Sequence, residues 1–110
     1  MTGFGNVRIK GVSGKEYKFR AYILDTKFQN FSAVYFISNR LVRPDGRISH
    51  SRIYCGQTMD ISSLFNYLQG TLTFKVHKAN CICILPKEDE ISRLEIERDI
   101  HQNYRFMCQD

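Results

Sequence analysis

Phe31-Ser-Ala-Val-Tyr-Phe-Ile-Ser38 and Arg52-Ile-Tyr-Cys-Gly-Gln-Thr58 are two short runs rich in aromatic and β-branched residues, and a polar, arginine-bearing stretch separates them. Read as paired strands, they alternate. Val34 and Phe36 fall on one face with Ala33, Tyr35 and Ile37 on the other, and in the second run Ile53 and Cys55 oppose Tyr54. Gly56 lets the backbone leave the sheet, and Asp60 caps an expected helix over Ile61-Ser-Ser-Leu-Phe-Asn-Tyr-Leu68.

The stretch between the runs, Asn39 to Ser51, reads as a loop around Pro44 and the turn signal Asp45-Gly46. With Arg52 it presents Arg40, Arg43, Arg47 and His50. Guanidinium groups suit phosphate oxygens because each donates two parallel hydrogen bonds. The plain alternative is a set of soluble loop side chains.

Upstream, Asn6 to Val12 and Lys15 to Ile23 alternate on either side of Ser13-Gly14, a hairpin signal. Tyr17, Phe19, Tyr22 and Leu24 supply its apolar surface and Lys15, Lys18 and Arg20 its wet face. Such a hairpin extends a sheet, covers an edge or adds a basic surface.

Downstream, Gln69-Gly70 ends the expected helix. Thr71-Leu-Thr-Phe-Lys-Val-His-Lys78 has the β-branched content of a strand, and Asn80-Cys-Ile-Cys-Ile-Leu85 reads as a buried strand ended by Pro86. Lys87-Glu-Asp-Glu90 gives an acidic first turn to a long helix reaching about Tyr104. At about 100° per residue, Ile91, Leu94, Ile100 and Tyr104 share one half of that helix, and Glu97 lies within their arc. An inward carboxylate costs several kcal/mol unless a metal, a cation or a donor meets it, so Glu97 is either a ligand or half of an internal ion pair.

A chain of 110 residues with 43% hydrophobic and 25% charged residues makes one soluble globular domain. No apolar run is long enough to span a bilayer and no signal-peptide layout opens the sequence, which leads to the expectation of a cytoplasmic protein. Cys55, Cys81, Cys83 and Cys108 are therefore expected reduced. Cys81 and Cys83, two apart, share a strand face. That spacing is not a zinc knuckle's, and buried small hydrophobes are the plain reading beside a metal site. The net charge of +5 is uneven: residues 1–53 carry ten Lys and Arg against three acids, and residues 54–110 carry six against eight. The basic half favours a polyanionic partner, with a merely solvated basic face as the alternative.

The order Ala33-Val34-Tyr35, a loop, Tyr54-Cys55-Gly56-Gln57-Thr58, a helix led by Asp60, and Glu97 in a late helix resembles the GIY-YIG nucleases over residues 31 to 109. The resemblance implies an α+β fold, a small central antiparallel β-sheet flanked by helices. The hairpin at 6–23 is an addition to that core, and residues 71–78 become helix rather than strand. It also implies a remnant site of Tyr35, Tyr54, Gly56, Gln57 and Glu97. Glu97 would be the ligand of a single Mg2+ or Mn2+, Tyr54 the proton acceptor, and Gln109 would stand where an asparagine is common.

One departure is central. The family's catalytic arginine belongs in the helix after the second motif, where this chain has Leu64, with Leu68 one turn on and no cation between. Loss of one such donor typically costs about 10²- to 10³-fold in rate. The resemblance thus implies a catalytically impaired nucleic-acid-binding domain, DNA favoured, that uses Arg40, Arg43, Arg47, Arg52, Lys75 and Lys78. Two alternatives stand beside it. One is an active endonuclease in which Arg52, Lys75 or Lys78 replaces the missing cation. The other is a protein-interaction or regulatory module on the same fold.

Overall fold

The computed structural model describes residues 3–64 and 76–106. Five strands, β1 (Gly3–Lys10), β2 (Glu16–Ile23), β3 (Ala33–Val42), β4 (Ile48–Thr58) and β5 (Cys81–Pro86), form one sheet in the order β1-β2-β5-β3-β4. Every neighbouring pair is antiparallel. A 3-10 turn, Ile61–Ser63, follows β4, and one α-helix, α1 (Glu90–His101), follows β5. The architecture of the described residues is therefore α+β with sheet predominating. None of their helices is long and apolar enough to cross a membrane.

The alternation of β3 holds. Val34 and Phe36 join Phe19, Ala21, Cys55, Cys81 and Cys83 in a core covered by Ile96 and Ile100 of α1. Ala33, Tyr35 and Ile37 join Ile53, Ile82, Ile84 and Ile61 in a second core on the opposite face. Phe28 and Phe31, from the β2–β3 connection, pack edge to face on that second side. The sheet curls around the α1 face. The Arg40 guanidinium of β3 lies 4.1 Å from the centre of the Phe4 ring of β1, although three strand spacings, about 14 Å in a flat sheet, separate those strands.

Two expectations about β4 change. Residues 39–51 are not a loop: β3 and β4 remain paired through Asn39↔Ser51, Arg40↔His50, Leu41↔Ser49 and Val42↔Ile48. Only Arg43–Arg47 turns. Arg43 N–H donates to Arg47 O at 2.7 Å, Gly46 N–H donates to Arg43 O at 2.9 Å, and Gly46 adopts φ +89°. This is the three-residue hairpin whose last position needs a left-handed residue. Because β5 stops pairing at Ser38↔Cys81, the last four rungs project as a two-stranded ribbon about 14 Å long.

The second change is a bulge. Ile37 pairs with Tyr54 but Ser38 pairs with Arg52, which leaves Ile53 as the extra residue. Ile53 and Tyr54 consequently share a face rather than opposing each other, with Cys55 on the other.

The last helix is shorter than expected and rotated. Asp89 caps it by accepting from Ser92 N–H at 2.9 Å. Its buried residues are Arg93, Ile96 and Ile100, whereas Ile91 and Leu94 are exposed. Arg93, Ile96, Glu97 and Ile100 form the i, i+3, i+4, i+7 stripe, and two of its four members are charged.

The N-terminal hairpin belongs to the same sheet, since β2 pairs with β5 over four rungs. Its turn is clasped to α1 by Asp99, whose carboxylate accepts from Ser13 N–H at 2.9 Å, Ser13 Oγ at 2.6 Å and Tyr17 Oη at 2.7 Å. A Cβ on Gly11 would lie 2.0 Å from Asp99 Oδ2, so the clasp requires glycine there. Most of the expected helices over 60–68 and 71–78, together with Cys108 and Gln109, fall outside the described residues.

Candidate functional site

The regular pairing of Tyr35 with Gly56 and Ile37 with Tyr54 brings the two expected tyrosines to one face. Their rings lie 6.1 Å apart at 31°, and Gly56, paired with Tyr35 across the strands, sits beneath them. A Cβ on Gly56 would lie 2.9 Å from Tyr35 Oη and 3.1 Å from Tyr54 Cε2. Glycine at this position thus serves close approach rather than an exit from the sheet, since β4 continues to Thr58. Tyr35 is only 4% exposed. Leu64 packs against the same hydrophobic cluster that holds Tyr35.

Glu97 and Gln57 belong to the other face. Glu97 is half-buried, and burial raises its carboxyl above the usual range against the opposing influence of His101. Its charge acts on Cys55, the residue after Tyr54 in edge strand β4, whose thiol is pushed up by burial and then by Glu97. Cys55 therefore stays a neutral thiol. Gln57 Oε1 accepts from Arg93 Nε at 2.9 Å, and Arg93 Nη1 donates to the carbonyls of Lys87 and Glu88 at 3.1 and 2.7 Å. Arg93 is 3% exposed. It seals the start of α1 to β4, a role hidden in the sequence because its position reads as polar surface. The five expected site residues thus divide into Tyr35, Tyr54 and Gly56 on one side of the sheet, with Gln57 and Glu97 on the other.

A hard divalent cation takes about six oxygen ligands. Among the described residues Glu97 belongs to no group of three potential ligands, so Mg2+ or Mn2+ there would depend on water and a bound phosphate. Among the described residues, the donors beside Glu97 do not make a dedicated site for such an ion.

The expected phosphate-binding cations are not equivalent. Arg40 and Arg52 are half-buried, with guanidinium carbons 4.1 and 4.4 Å from the ring centres of Phe4 and Tyr104. Each leaves a buried Nε–H without a hydrogen-bond partner among the described residues. They are wedged into the fold. Arg43 and Arg47 stand exposed at the ribbon turn, where Arg47 meets Asp45 at 2.9 Å. Lys78 is exposed beside the ribbon root, its carbonyl accepting from Asn39 Nδ2 at 2.8 Å. Lys75 lies outside the described residues.

A denser array of charge lies on the wet face of the β1–β2 hairpin. Register places Arg8 opposite Lys18, Asn6 opposite Arg20, and Lys10 opposite Glu16. Glu16 is the one acid on these rungs, 3.7 Å from Arg8. Like charges directly across strands destabilise a sheet, and Arg8 facing Lys18 is such a pair. The sequence signalled Lys18 and Arg20, but Arg8 and Lys10 join them only through the register.

On the concave α1 face, His50, Ser38, Cys81 and Cys83 meet at the ribbon root. The Cys81 and Cys83 Sγ atoms are 3.9 Å apart, and His50 Nδ1 is 2.9 Å from Ser38 Oγ. Both cysteines are fully buried. Hydrogen bonding from Cys83, with smaller contributions from His50 and Ser38, draws the Cys81 thiol below its ordinary range against its burial. Cys83 is raised by burial and by its neighbour Cys81.

Comparison with protein-family models, curated proteins and solved structures yields no match to this chain.

Proposed function

We propose that this chain is a nucleic-acid-binding domain, an antiparallel sheet with a late glutamate-bearing helix that resembles a GIY-YIG-like core, and that it binds the phosphate backbone without cleaving it. The observation that carries the reading is the wet face of the β1–β2 hairpin, where Arg8, Lys10, Lys18 and Arg20 face solvent in register with one opposing acid. A row of cations with a like-charged rung is relieved by a polyanion, and four phosphate contacts release about four counterions. The exposed Arg43 and Arg47 at the ribbon turn add a second contact. Loss of cleavage fits an aliphatic Leu64 packed on the cluster that holds Tyr35, the burial of Tyr35, and a Glu97 helix that packs on the opposite face.

The test is fluorescence anisotropy on a mixed-sequence duplex and a single strand between roughly 50 and 200 mM salt, where affinity falls with a log–log slope of about −0.9 per phosphate contact. A slope of about −3 to −4 is expected for the four hairpin cations, and Arg8→Ala, Lys18→Ala and Arg20→Ala each make it shallower by about 0.9. A salt-independent signal, or an unchanged slope in the triple variant, refutes the reading. Plasmid nicking with Mg2+ or Mn2+ is expected from neither the wild type nor Glu97→Ala. Leu64→Arg tests whether the missing cation alone silences the tyrosine pair.

One observation favours a second reading, a protein-interaction module. Leu41, Val42 and Ile48 are about half exposed near the ribbon tip, where a phosphate-binding turn alone has no use for them. Absence of nucleic-acid binding at low salt would place this reading first.

A further inference from the structure

We propose that His50, Cys81 and Cys83 form a binding site for a single thiophilic divalent cation, zinc by chemical preference, with His50 Nδ1 and the two Sγ atoms as its ligands. The three atoms lie within 4.8 Å of one another. Zn–S bonds of about 2.3 Å in a tetrahedron put the two sulfurs about 3.8 Å apart, and Cys81 and Cys83 stand at 3.9 Å. The imidazole needs only a small closing movement to complete the triangle.

Strand geometry replaces the usual knuckle loop. Two residues apart on β5, Cys81 and Cys83 point to the same face. His50 reaches that face because of the bulge at Ile53. Counting back from Cys55 without the extra residue, alternation would send Ile53 and Ser51 to the concave side, whereas the bulge sends Arg52 and His50. Bulges that re-aim a side chain are common beside functional sites. Ser38, between the two ligand-bearing strands, is fully buried and contacts His50 Nδ1 at 2.9 Å. With a metal on Nδ1, its hydroxyl is free to donate to a coordinated sulfur, as outer partners of metal ligands do.

The two cysteines border the apolar core, but on the ribbon side an imidazole and a hydroxyl stand beside them, groups that a purely apolar burial does not call for. Two thiolates and one neutral imidazole match zinc and other soft ions and disfavour Mg2+ and Mn2+. Three protein ligands leave a fourth coordination position, and half-buried His50 is the side from which an ion arrives. The site would join β4 to β5 across β3 at the ribbon root, and it stands independently of the nucleic-acid reading.

The experiment titrates Co2+ alone into reduced, chelator-stripped protein. The expected result is saturation at one equivalent, with a thiolate-to-cobalt charge-transfer band and the strong visible bands of tetrahedral cobalt, all bleached by Zn2+. Cys81→Ser and Cys83→Ser each remove one thiolate's share of the charge-transfer intensity, and Cys55→Ser leaves it intact. His50→Asn weakens binding by at least about tenfold, the scale that loss of even an outer partner carries. Circular dichroism confirms that the serine variants fold, and the wild-type and His50→Asn titrations decide the matter if they do not. The proposal is overturned by the absence of a charge-transfer band in the wild type, by a band undiminished in Cys83→Ser, or by a Cys81–Cys83 disulfide in freshly isolated protein.

Discussion

Replacing Gly56 by alanine tests the reading of the tyrosine pair most directly. Gly56 is not among the glycines with positive φ, so its backbone accepts alanine and the side chain alone decides the outcome. The new Cβ would stand 2.9 Å from Tyr35 Oη, 3.1 Å from Tyr35 Cζ and 3.1 Å from Tyr54 Cε2, about half an ångström or more inside van der Waals contact. Tyr35, at 4% exposure, has little room to retreat. Overpacking of this kind costs about 1–3 kcal/mol. The lower entropy of an unfolded chain carrying alanine offsets about 0.4–1 kcal/mol of that, so the net sign remains destabilising. Each kcal/mol moves the melting temperature of a domain this size by roughly 4–8 °C. Urea unfolding of the wild type, Gly56→Ala, Tyr35→Phe and the double variant gives a complete cycle, in which the Tyr35→Phe arm subtracts whatever the hydroxyl contributes elsewhere. A coupling on the order of 0.5–3 kcal/mol is expected, because removing Oη relieves the closest contact. An alanine variant as stable as the wild type, or strict additivity, would show that the glycine does not seat the tyrosines.

Three further outcomes follow from the face that α1 covers. Asp99 is held below the usual carboxylate range by Ser13 first and then Tyr17, so its stabilising effect is present at neutral pH and is lost as pH falls through its folded pKa. Acid unfolding of Asp99→Asn should therefore show a weaker pH dependence than that of the wild type. Glu97 is raised by burial, so its contribution is present below the ordinary glutamate pKa and lost as pH rises through the folded one. Glu97→Gln should then melt higher than the wild type at neutral pH, with the gap closing on acidification; a lower melting temperature would reveal a cation that the carboxylate serves. Arg93→Met leaves Gln57 Oε1 and two backbone carbonyls without their donor. It should cost about 1–3 kcal/mol in urea unfolding.

Where hydrophobic alternation ran unbroken, the sequence was readable. The hairpin signal at Ser13-Gly14, the β3 run and the Cys-Ile-Cys-Ile strand all lie where they were expected. Legibility failed where a single residue shifts a period. Nothing local marks Ile53 as a bulge, yet it sets which face Ile53 itself, Arg52 and His50 take. The ribbon was missed because Arg40, Ser49 and Ser51 look like loop residues, although pairing with the partner strand satisfies their backbone. The helix face was misassigned because its buried stripe includes Arg93 and Glu97, and an apolar count turns toward exposed Ile91 and Leu94 instead. Of the site, the meeting of Tyr35 and Tyr54 followed from pairing two strands. The arrangement of His50 with Cys81 and Cys83 needed both the bulge and the strand order, neither of which a linear reading supplies.

β5 lies between β2 and β3, which are neighbours in the chain but not in the sheet. Until residue 81 and those after it are available, the two hairpins have no common partner and each presents an unpaired inner edge. A chain emerging from the ribosome therefore carries two open strand edges from the completion of β4 until β5 arrives, the kind of surface that pairs with other chains. Closure awaits a late insertion that joins residues some sixty positions apart, such as Arg20 and Ile84. Long-range pairing of this type is slow. Conditions that delay synthesis or truncate the chain before β5 should therefore favour association of the open edges over folding, and a separately added β5 peptide should compete for the same slot.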